Sequence, residues 1–329
     1  MNIPVGIVAF VLAWRLVPKL QTSPHRFDVL GVILSAVALF LIVFGLQEGE
    51  KFDWGVIWGP ISVWSLIITG LVVLGLFIVQ QARTRSEALV PLALFRDRNF
   101  SGANVAIAAV GFTVTSMSLP MMFFLQTARG LTPTEAALLL IPMAVLSGVL
   151  APFAGKLLDR VDPRIILIPG LLCVVVALVW YSTLINMGTD IWMFLLPSAL
   201  MGIGNAGMWG PLATTATRKL PPRQAGAGAG IYNTTRTIGS VIGSASIATF
   251  MQSRLEANLP GLADAPSGIS GGGSLPPEVA EGFAAGMSQA ILLPACVMVV
   301  ALVASLFLGR YDRADAAASA PTEAPAPAA

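Results

Sequence analysis

Charge is what this chain has least of. Only 11% of its 329 residues are Asp, Glu, Lys or Arg, against 56% hydrophobic residues and a mean hydropathy of +0.80. Soluble domains carry about 25% charged residues, so most of this surface cannot face water and the chain reads as an integral membrane protein. Histidine and cysteine are nearly absent: His25 stands alone, and Cys173 and Cys296 lie far apart in apolar runs. That excludes a metal site and a disulfide framework. A net charge of only +2, with the basic residues scattered, excludes a nucleic-acid partner. No nucleophile with a matching base and no phosphate-binding loop is present, which excludes an enzyme. The glycines of GAGAGIYN lack the preceding strand that a nucleotide loop requires. Within the long apolar stretches there is no Asp or Glu at all, and a single cation, Arg236.

What is there is a series of apolar runs. A run of roughly 20 such residues crosses a bilayer as a helix. Nine candidates follow: Asn2 to Trp14, Val29 to Leu46, Ile57 to Val79, Gly102 to Leu125, Ala136 to Phe153, Ile165 to Ile185, Ile191 to Thr214, Ala225 to Met251 and Met287 to Leu308. The fold class expected is an all-α integral membrane bundle. The connections alternate in charge. One set carries Arg15, Lys19 and Arg26; Arg83, Arg85, Arg96 and Arg98; Lys156, Arg160 and Arg164; Arg218, Lys219 and Arg223; and Arg310 and Arg313. The other set carries only Lys51, Arg129 and Arg254. By the positive-inside rule the first set is cytoplasmic. The carboxyl terminus is then on the cytoplasmic side of the cell membrane, and an odd number of spans places Met1 outside. MNIPVGIVAFVLAW has no basic residue ahead of its apolar core, and its charge begins afterwards at Arg15. It therefore reads as a helix that normally has something before it, not as a signal sequence.

Composition also marks the joints. QEGEKFDWGV is acidic and outward, and Trp54 and Trp58 suit the interfacial belt. QARTRSEALVPLALFRDRNF mixes Arg with Leu and Phe around Pro91, as expected of an amphipathic inward linker lying along the membrane. A connection from about Gln252 to Gly286 is rich in Gly, Ser and Pro, and ADAAASAPTEAPAPAA reads as a disordered tail. The expected divisions are 1–17, a short first helix; 18–99, two helices and the linker; 100–310, a six-helix unit; and 311–329, the tail.

Three motifs carry information. Gly202, Gly204, Gly207 and Gly210 precede Pro211, and Gly239 and Gly243 stand four apart. Such spacing lets helix backbones approach closely, and the Gly-Pro pair also permits a bend, so packing and hinge roles both stand open. Between the fifth and sixth spans lies GKLLDRVDPR, where Gly155, Asp159, Arg160 and Arg164 form a basic turn able to bond neighbouring helix ends. Arg236 follows Asn233 by three residues, on a face that Gly239 and Gly243 continue. It lies on the order of 16 Å into its span at about 1.5 Å per residue. An interior gating role, snorkelling to the headgroups and direct substrate contact all remain open for it. Asn104 in the fourth span and Asn205 in the seventh are further pathway candidates, with Thr113, Thr115 and Ser116, whose hydroxyls can equally bond their own helix.

GKLLDRVDPR resembles the carboxyl-half copy of the signature loop of the major facilitator superfamily, G-x-L-x-D-R-x-G-R, with Asp162 in place of the glycine and Arg164 one residue late. MNIPVGIVAF, SLPMMFFLQTARGLTPTEAALLLIPMAV and RQAGAGAGIYNTTRTIGSVIGSA are similar, in that order, to segments of its fourteen-helix drug:H+ antiporters of the EmrB/QacA type. The resemblance implies about nine helices: the sixth of that family, its two extra central helices and the carboxyl-terminal six-helix half. It also implies an amino-terminally truncated chain, whose first five helices, with their coupling carboxylate and antiporter motif, are absent. The implied function is multidrug efflux driven by a proton gradient, with no cofactor, on lipophilic or cationic small molecules. The alternative is a non-transporting interaction partner, or a half-transporter needing a separate amino-terminal half, whose glycine-rich face from Gly202 to Gly210 is left exposed for it.

Overall fold

The structure is a computed structural model and describes residues 6–7, 10–12, 14–15, 28–49, 51–52, 54–84, 89–218, 220–221, 224–259 and 276–309. The expected tail at 311–329, the Gly/Ser-rich stretch at 260–275 and most of the first candidate span lie outside these residues.

The described chain is helical throughout, apart from one short hairpin. Helix α1 (Val29–Glu48) leads to an antiparallel pair, β1 (Val56–Trp58) and β2 (Ile61–Ser62), and then to α2 (Val63–Arg83). A 3₁₀ turn at Leu92–Arg96 precedes α3 (Arg98–Phe123), which closes in a π turn at Phe124–Ala128. There follow α4 (Pro133–Leu138), α5 (Ile141–Leu158) and α6 (Pro163–Leu184), then a 3₁₀ turn at Ile191–Phe194 and α7 (Leu195–Thr217). The series ends with α8 (Ala225–Asn258), α9 (Pro277–Ala290) and α10 (Leu292–Leu306). Among the described residues seven stretches are long and apolar enough to cross a membrane.

Several expected bounds need correction. The third span starts at Val63 and not Ile57, because the first residues pair in the hairpin and Ser62 then caps α2, its Oγ accepting from the Ser65 amide at 3.1 Å. The fifth span is two helices, since Pro142 has no amide to donate to Leu138. The ninth breaks for the same reason at Ile291, where Pro294 cannot donate to Ala290, and it begins earlier than Met287, at Pro277. The connection expected from Gln252 to Gly286 is helical at both ends, because α8 runs on to Asn258. Helix α8 is not among the seven apolar stretches: its first half, AGAGAGIYNTTRTIGS, is dominated by small and hydroxylated residues. Its 34 residues nonetheless extend about 51 Å at 1.5 Å per residue, well beyond a hydrocarbon core of about 30 Å.

In helices apolar on every side, hydrophobicity does not choose the buried face; small residues do. Helices α3 and α8 run parallel, in backbone contact. A side chain at Gly239 would run into the Ala108 carbonyl, one at Gly111 into the Arg236 carbonyl, and one at Gly243 would meet the Phe112 oxygen at 2.5 Å. Around this pair sits one core drawn from α3, α6, α7, α8, α9 and α10, with Phe124, Tyr181, Phe194 and Phe283 fully enclosed. Helix α5 packs Met143 against this core, buries Leu158 and leaves Ile141, Val145, Val149 and Phe153 exposed.

The α1–α2 pair is built on its own seven-residue period. Gly31, Ala38 and Gly45 on α1 face Val63, Gly70 and Phe77 on α2, the spacing of left-handed pairing. Its basic end is tied by Asp28, which caps α1 by accepting from the Gly31 amide at 2.8 Å and also accepts from Gln81 Nε2 at 2.7 Å. Gln81 in turn accepts from the Val90 amide at 2.9 Å, joining the linker to the pair. Beyond it, Leu94 is buried with Phe100 and Ile231, which docks the linker beneath α3 and α8.

Three outcomes follow. Gly239→Val forces the α3–α8 seam apart and lowers thermal stability in detergent by more than the ~1–3 kcal/mol of ordinary overpacking. Gly210→Ala, whose Cβ meets only Leu158 Cδ2 at 3.8 Å, leaves stability unchanged or slightly raised. For Asp28, burial pushes the carboxyl up, but hydrogen bonds from Gly31, Gln81, Gln80 and Leu89 outweigh it and hold the group below its ordinary 3.8. A depressed carboxylate stabilises fully above the unfolded value and loses that contribution as pH falls through the folded one. The stability gap between the natural chain and Asp28→Asn is therefore constant near neutrality and closes only below about pH 3.8.

Candidate translocation face

Arg236 sits about a third of the way along α8, half-buried, with its backbone pressed on α3. Ser240 Oγ bridges that seam, donating to the carbonyls of Gly111 and Arg236, both at 3.1 Å. The side chain lies on α7, its Cζ 5.9 Å from the centroid of the Trp209 ring. That is cation–π range, and an indole face is the strongest such partner. Its Nε is buried and has no hydrogen-bond partner among the described residues.

Of the four other polar atoms in this condition among the described residues, two lie near it. The Tyr232 hydroxyl, one turn earlier on α8, and Asn104 Oδ1 on α3 are buried without partners, although Asn104 Nδ2 donates to the Phe100 carbonyl at 2.8 Å. Gly228 lies against Phe100 and Gly239 against Ala108, so Asn104, Tyr232 and Arg236 occupy the same stretch of the seam. Leaving a buried polar group unsatisfied costs about 1–3 kcal/mol, and a cluster of them marks a place where structure has been subordinated to something else.

The residues singled out in the sequence divide into three groups. Asn233 is exposed, its Nδ2 held by the Ala229 carbonyl at 3.0 Å, and Thr234 and Thr237 are exposed beside it. It does not share a face with the glycines, as the three-residue spacing suggested. Each step of three falls about 60° short of a full turn at 3.6 residues per turn, so Gly239 and Gly243 point into α3 while Asn233 points away. Asn205 is half-buried on α7, one turn before Trp209 and on its face, which brings it to the Arg236 side. Asn104 is buried behind that face. Thr113 is a tie between helices, donating to the Pro294 carbonyl at 3.1 Å, while Thr115 and Ser116 bond their own helix at Gly111 and Phe112.

The expectation of an exposed glycine face on α7 is overturned. Gly202 lies against Met143 of α5, and Gly204 and Gly207 lie against Gly170 of α6, 2.8 Å separating a Gly204 side-chain position from the Gly170 oxygen. These positions are already occupied by neighbouring helices, so only Gly210, just before Pro211, is open. Trp209, Tyr232 and Gly111 escaped the sequence reading. An aromatic in GMWGPL was visible, but its pairing with Arg236 spans two helices.

At the basic end, Gly155 in the last turn of α5 and Asp159 and Arg160 on the α5–α6 turn are exposed. Asp162, standing where the superfamily pattern has glycine, caps α6 by accepting from the Arg164 amide at 3.0 Å. Arg164 Nη2 donates to the Leu306 carbonyl at 2.8 Å, in the last turn of α10. A cation at a helix carboxyl end is favoured by the free carbonyls and the dipole there. Asn99 Oδ1 holds the same end through the Gly309 amide at 2.6 Å.

Known proteins agree with this architecture. The Major Facilitator Superfamily profile matches residues 1–244. The chain is 44% identical to an uncharacterized MFS-type transporter of Mycobacterium tuberculosis, over 96% of this chain and 54% of that protein. It is 28% identical to the tetracenomycin C resistance and export protein of Streptomyces glaucescens, over 99% of this chain and 64% of that one. It is 27% identical to the lincomycin resistance protein LmrB of Listeria monocytogenes, over 93% and 62%. The chain thus spans about half to two thirds of the length of the curated relatives it matches. A crystal structure of a bacterial homolog of the human lysosomal transporter Spinster, inward-facing and unoccupied, superposes with a TM-score of 0.53 at 17% identity, over 85% of this chain and 70% of that one, a likeness of fold alone. An all-helical membrane bundle of this packing, with a family match over most of its length, makes the chain a member of the Major Facilitator Superfamily, a family of transporters and not of enzymes.

Proposed function

We propose that this chain supplies one wall of a secondary active transporter that exports lipophilic or cationic small molecules across the cell membrane in exchange for protons, as the fourteen-helix EmrB/QacA type does. The observation that carries this is the polar strip on α8. Asn233, Thr234 and Thr237 are exposed in the first half of a helix longer than a membrane core, with half-buried Arg236 beside them. Facing lipid, those groups are costly; facing a water-filled pathway between two helical bodies, they are not. Relatives named for resistance to tetracenomycin C and lincomycin support the export direction and the substrate class.

In this reading the basic ends of the helices, the carboxyl terminus included, face the cytoplasm. Helices α3 to α10 form the carboxyl-terminal half, and α1, α2 and the linker tether it. A second six-helix body provides the opposite wall, within one longer polypeptide or as a separate chain, because alternating access rocks two bodies about a midplane site. Arg236 faces that body and pairs with a carboxylate on it, or with an anionic group of the substrate. The Arg164 contact with α10 steadies the cytoplasmic end while the halves move.

The test is efflux by the two-body transporter. Arg236→Ala is expected to lower pH-driven efflux of a lipophilic cation at least tenfold, on the scale of one lost charge-assisted interaction, while membrane insertion is unchanged. Unchanged efflux in that variant overturns the role of Arg236. The 329-residue chain alone, in proteoliposomes, is expected to move no lipophilic cation when a pH gradient is imposed. Transport by the chain alone overturns the two-wall proposal.

A further inference from the structure

The three buried polar atoms of the α3–α8 seam are chemically complementary. Arg236 Nε has one hydrogen to donate, the Tyr232 hydroxyl both donates and accepts, and Asn104 Oδ1 only accepts. Tyr232 and Asn104 are 7% and 4% exposed, and bulk water reaches none of the three atoms. Buried polar groups are satisfied in folded proteins almost without exception. Two hydrogen bonds, from Arg236 Nε to Tyr232 Oη and from Tyr232 Oη to Asn104 Oδ1, satisfy all three at once.

The register of the seam brings the side chains together. Ala108 meets Gly239 and Phe112 meets Gly243, so the face of α3 that meets α8 continues one turn back from Ala108 to Asn104. The matching face of α8 continues two turns back from Gly239 to Tyr232. Arg236 follows Tyr232 by four residues, the spacing of neighbours along a helix. Asn104 Nδ2 is already committed to the Phe100 carbonyl at 2.8 Å, which leaves Oδ1 as the free end of the amide. The guanidinium lies on the Trp209 ring, Cζ 5.9 Å from its centroid. An indole attracts a cation through its face, but its only polar hydrogen-bonding group is a donor, so this seat gives Nε no acceptor.

We propose that Tyr232, backed by Asn104, is a positioning residue for Arg236: its hydroxyl accepts from Nε when the guanidinium leaves the Trp209 face, and donates in turn to Asn104 Oδ1. Arg236 then has two seats, one on α7 and one on the seam. On Trp209 one face of the guanidinium is covered. Held through Nε by Tyr232, it has both faces uncovered and its two Nη groups free to take a carboxylate or another anion in the two-pronged geometry of arginine. The hydrogen-bonded chain stands on the seam alone; its use in presenting Arg236 to an anion rests on the transport reading above.

The experiment uses the purified 329-residue chain in phosphatidylcholine nanodiscs and the arginine reagent phenylglyoxal, which attacks the Nη atoms, with the adduct at Arg236 followed by mass spectrometry of its peptide. Tyr232→Phe removes the hydroxyl and nothing else. It is expected to slow modification of Arg236 about fivefold, the scale of one hydrogen bond between membrane helices, while the exposed Arg96 and Arg98 react as before. Asn104→Leu, which removes the acceptor behind the hydroxyl, slows Arg236 in the same way. Equal rates at Arg236 in the natural chain and Tyr232→Phe overturn the proposal. So does a Tyr232→Phe chain that unfolds at a higher temperature than the natural one, the mark of a buried hydroxyl without a partner. No efflux is measured, so loss of the transport reading leaves this result intact, and loss of the Tyr232 effect leaves the two-wall transporter intact.

Discussion

The approach of two helix backbones along the α3–α8 seam is the constraint on which the rest depends. Lipid tails are as apolar as leucine, so membrane helices gain nothing from merely hiding hydrophobic surface; they associate where atoms of both can touch closely. Gly111, Gly239 and Gly243 remove the side chains that would prevent this, and Ser240 spans the gap with hydrogen bonds. Helices α7, α9 and α10 then pack around a pair whose separation is already set. Every other distance in the bundle is measured from it.

The same seam fixes the polar cluster. With the Arg236 backbone pressed on Gly111, the side chain lies across to Trp209. A guanidinium in hydrocarbon is costly, and one aromatic face offsets only part of that cost, about 2 kcal/mol when desolvated. Tyr232 and Asn104 add two further unsatisfied groups nearby. An arrangement that spends stability in this way, beside an exposed polar strip, is suited to a surface that meets water, substrate or another charged helix rather than lipid.

The two ends of the bundle are tied differently. At the basic end, Arg164 and Asn99 grip the last turn of α10, and Asp28 and Gln81 bind the first two helices to the linker. Apart from the Gln81–Asp28 side-chain bond, these are short hydrogen bonds to specific backbone groups, which fix the register of that end. At the other end the hairpin meets α8 across an apolar crevice, held by Trp54 and Leu46. The contrast places the looser joint on the side away from the basic turns.

The sequence by itself determined the class and most of the helices. Scarce charge and long apolar runs leave no soluble alternative, because each backbone polar group in a membrane must be satisfied within its own helix. The period of GSVIGSAS marks a close approach, and the prolines Pro142 and Pro294 carry their breaks locally, through amides they lack. Only the tertiary structure decided which helix each small residue meets. Gly202, Gly204 and Gly207 look alike in LMGIGNAG, yet one lies on α5 and two on α6. It also separated Asn233 from the glycines, joined Arg236 to Trp209 and turned Trp54 into its crevice. The reason is that uniformly apolar helices carry no amphipathic signal, so the buried face emerges from the fit of whole helices against one another and cannot be read from any one of them.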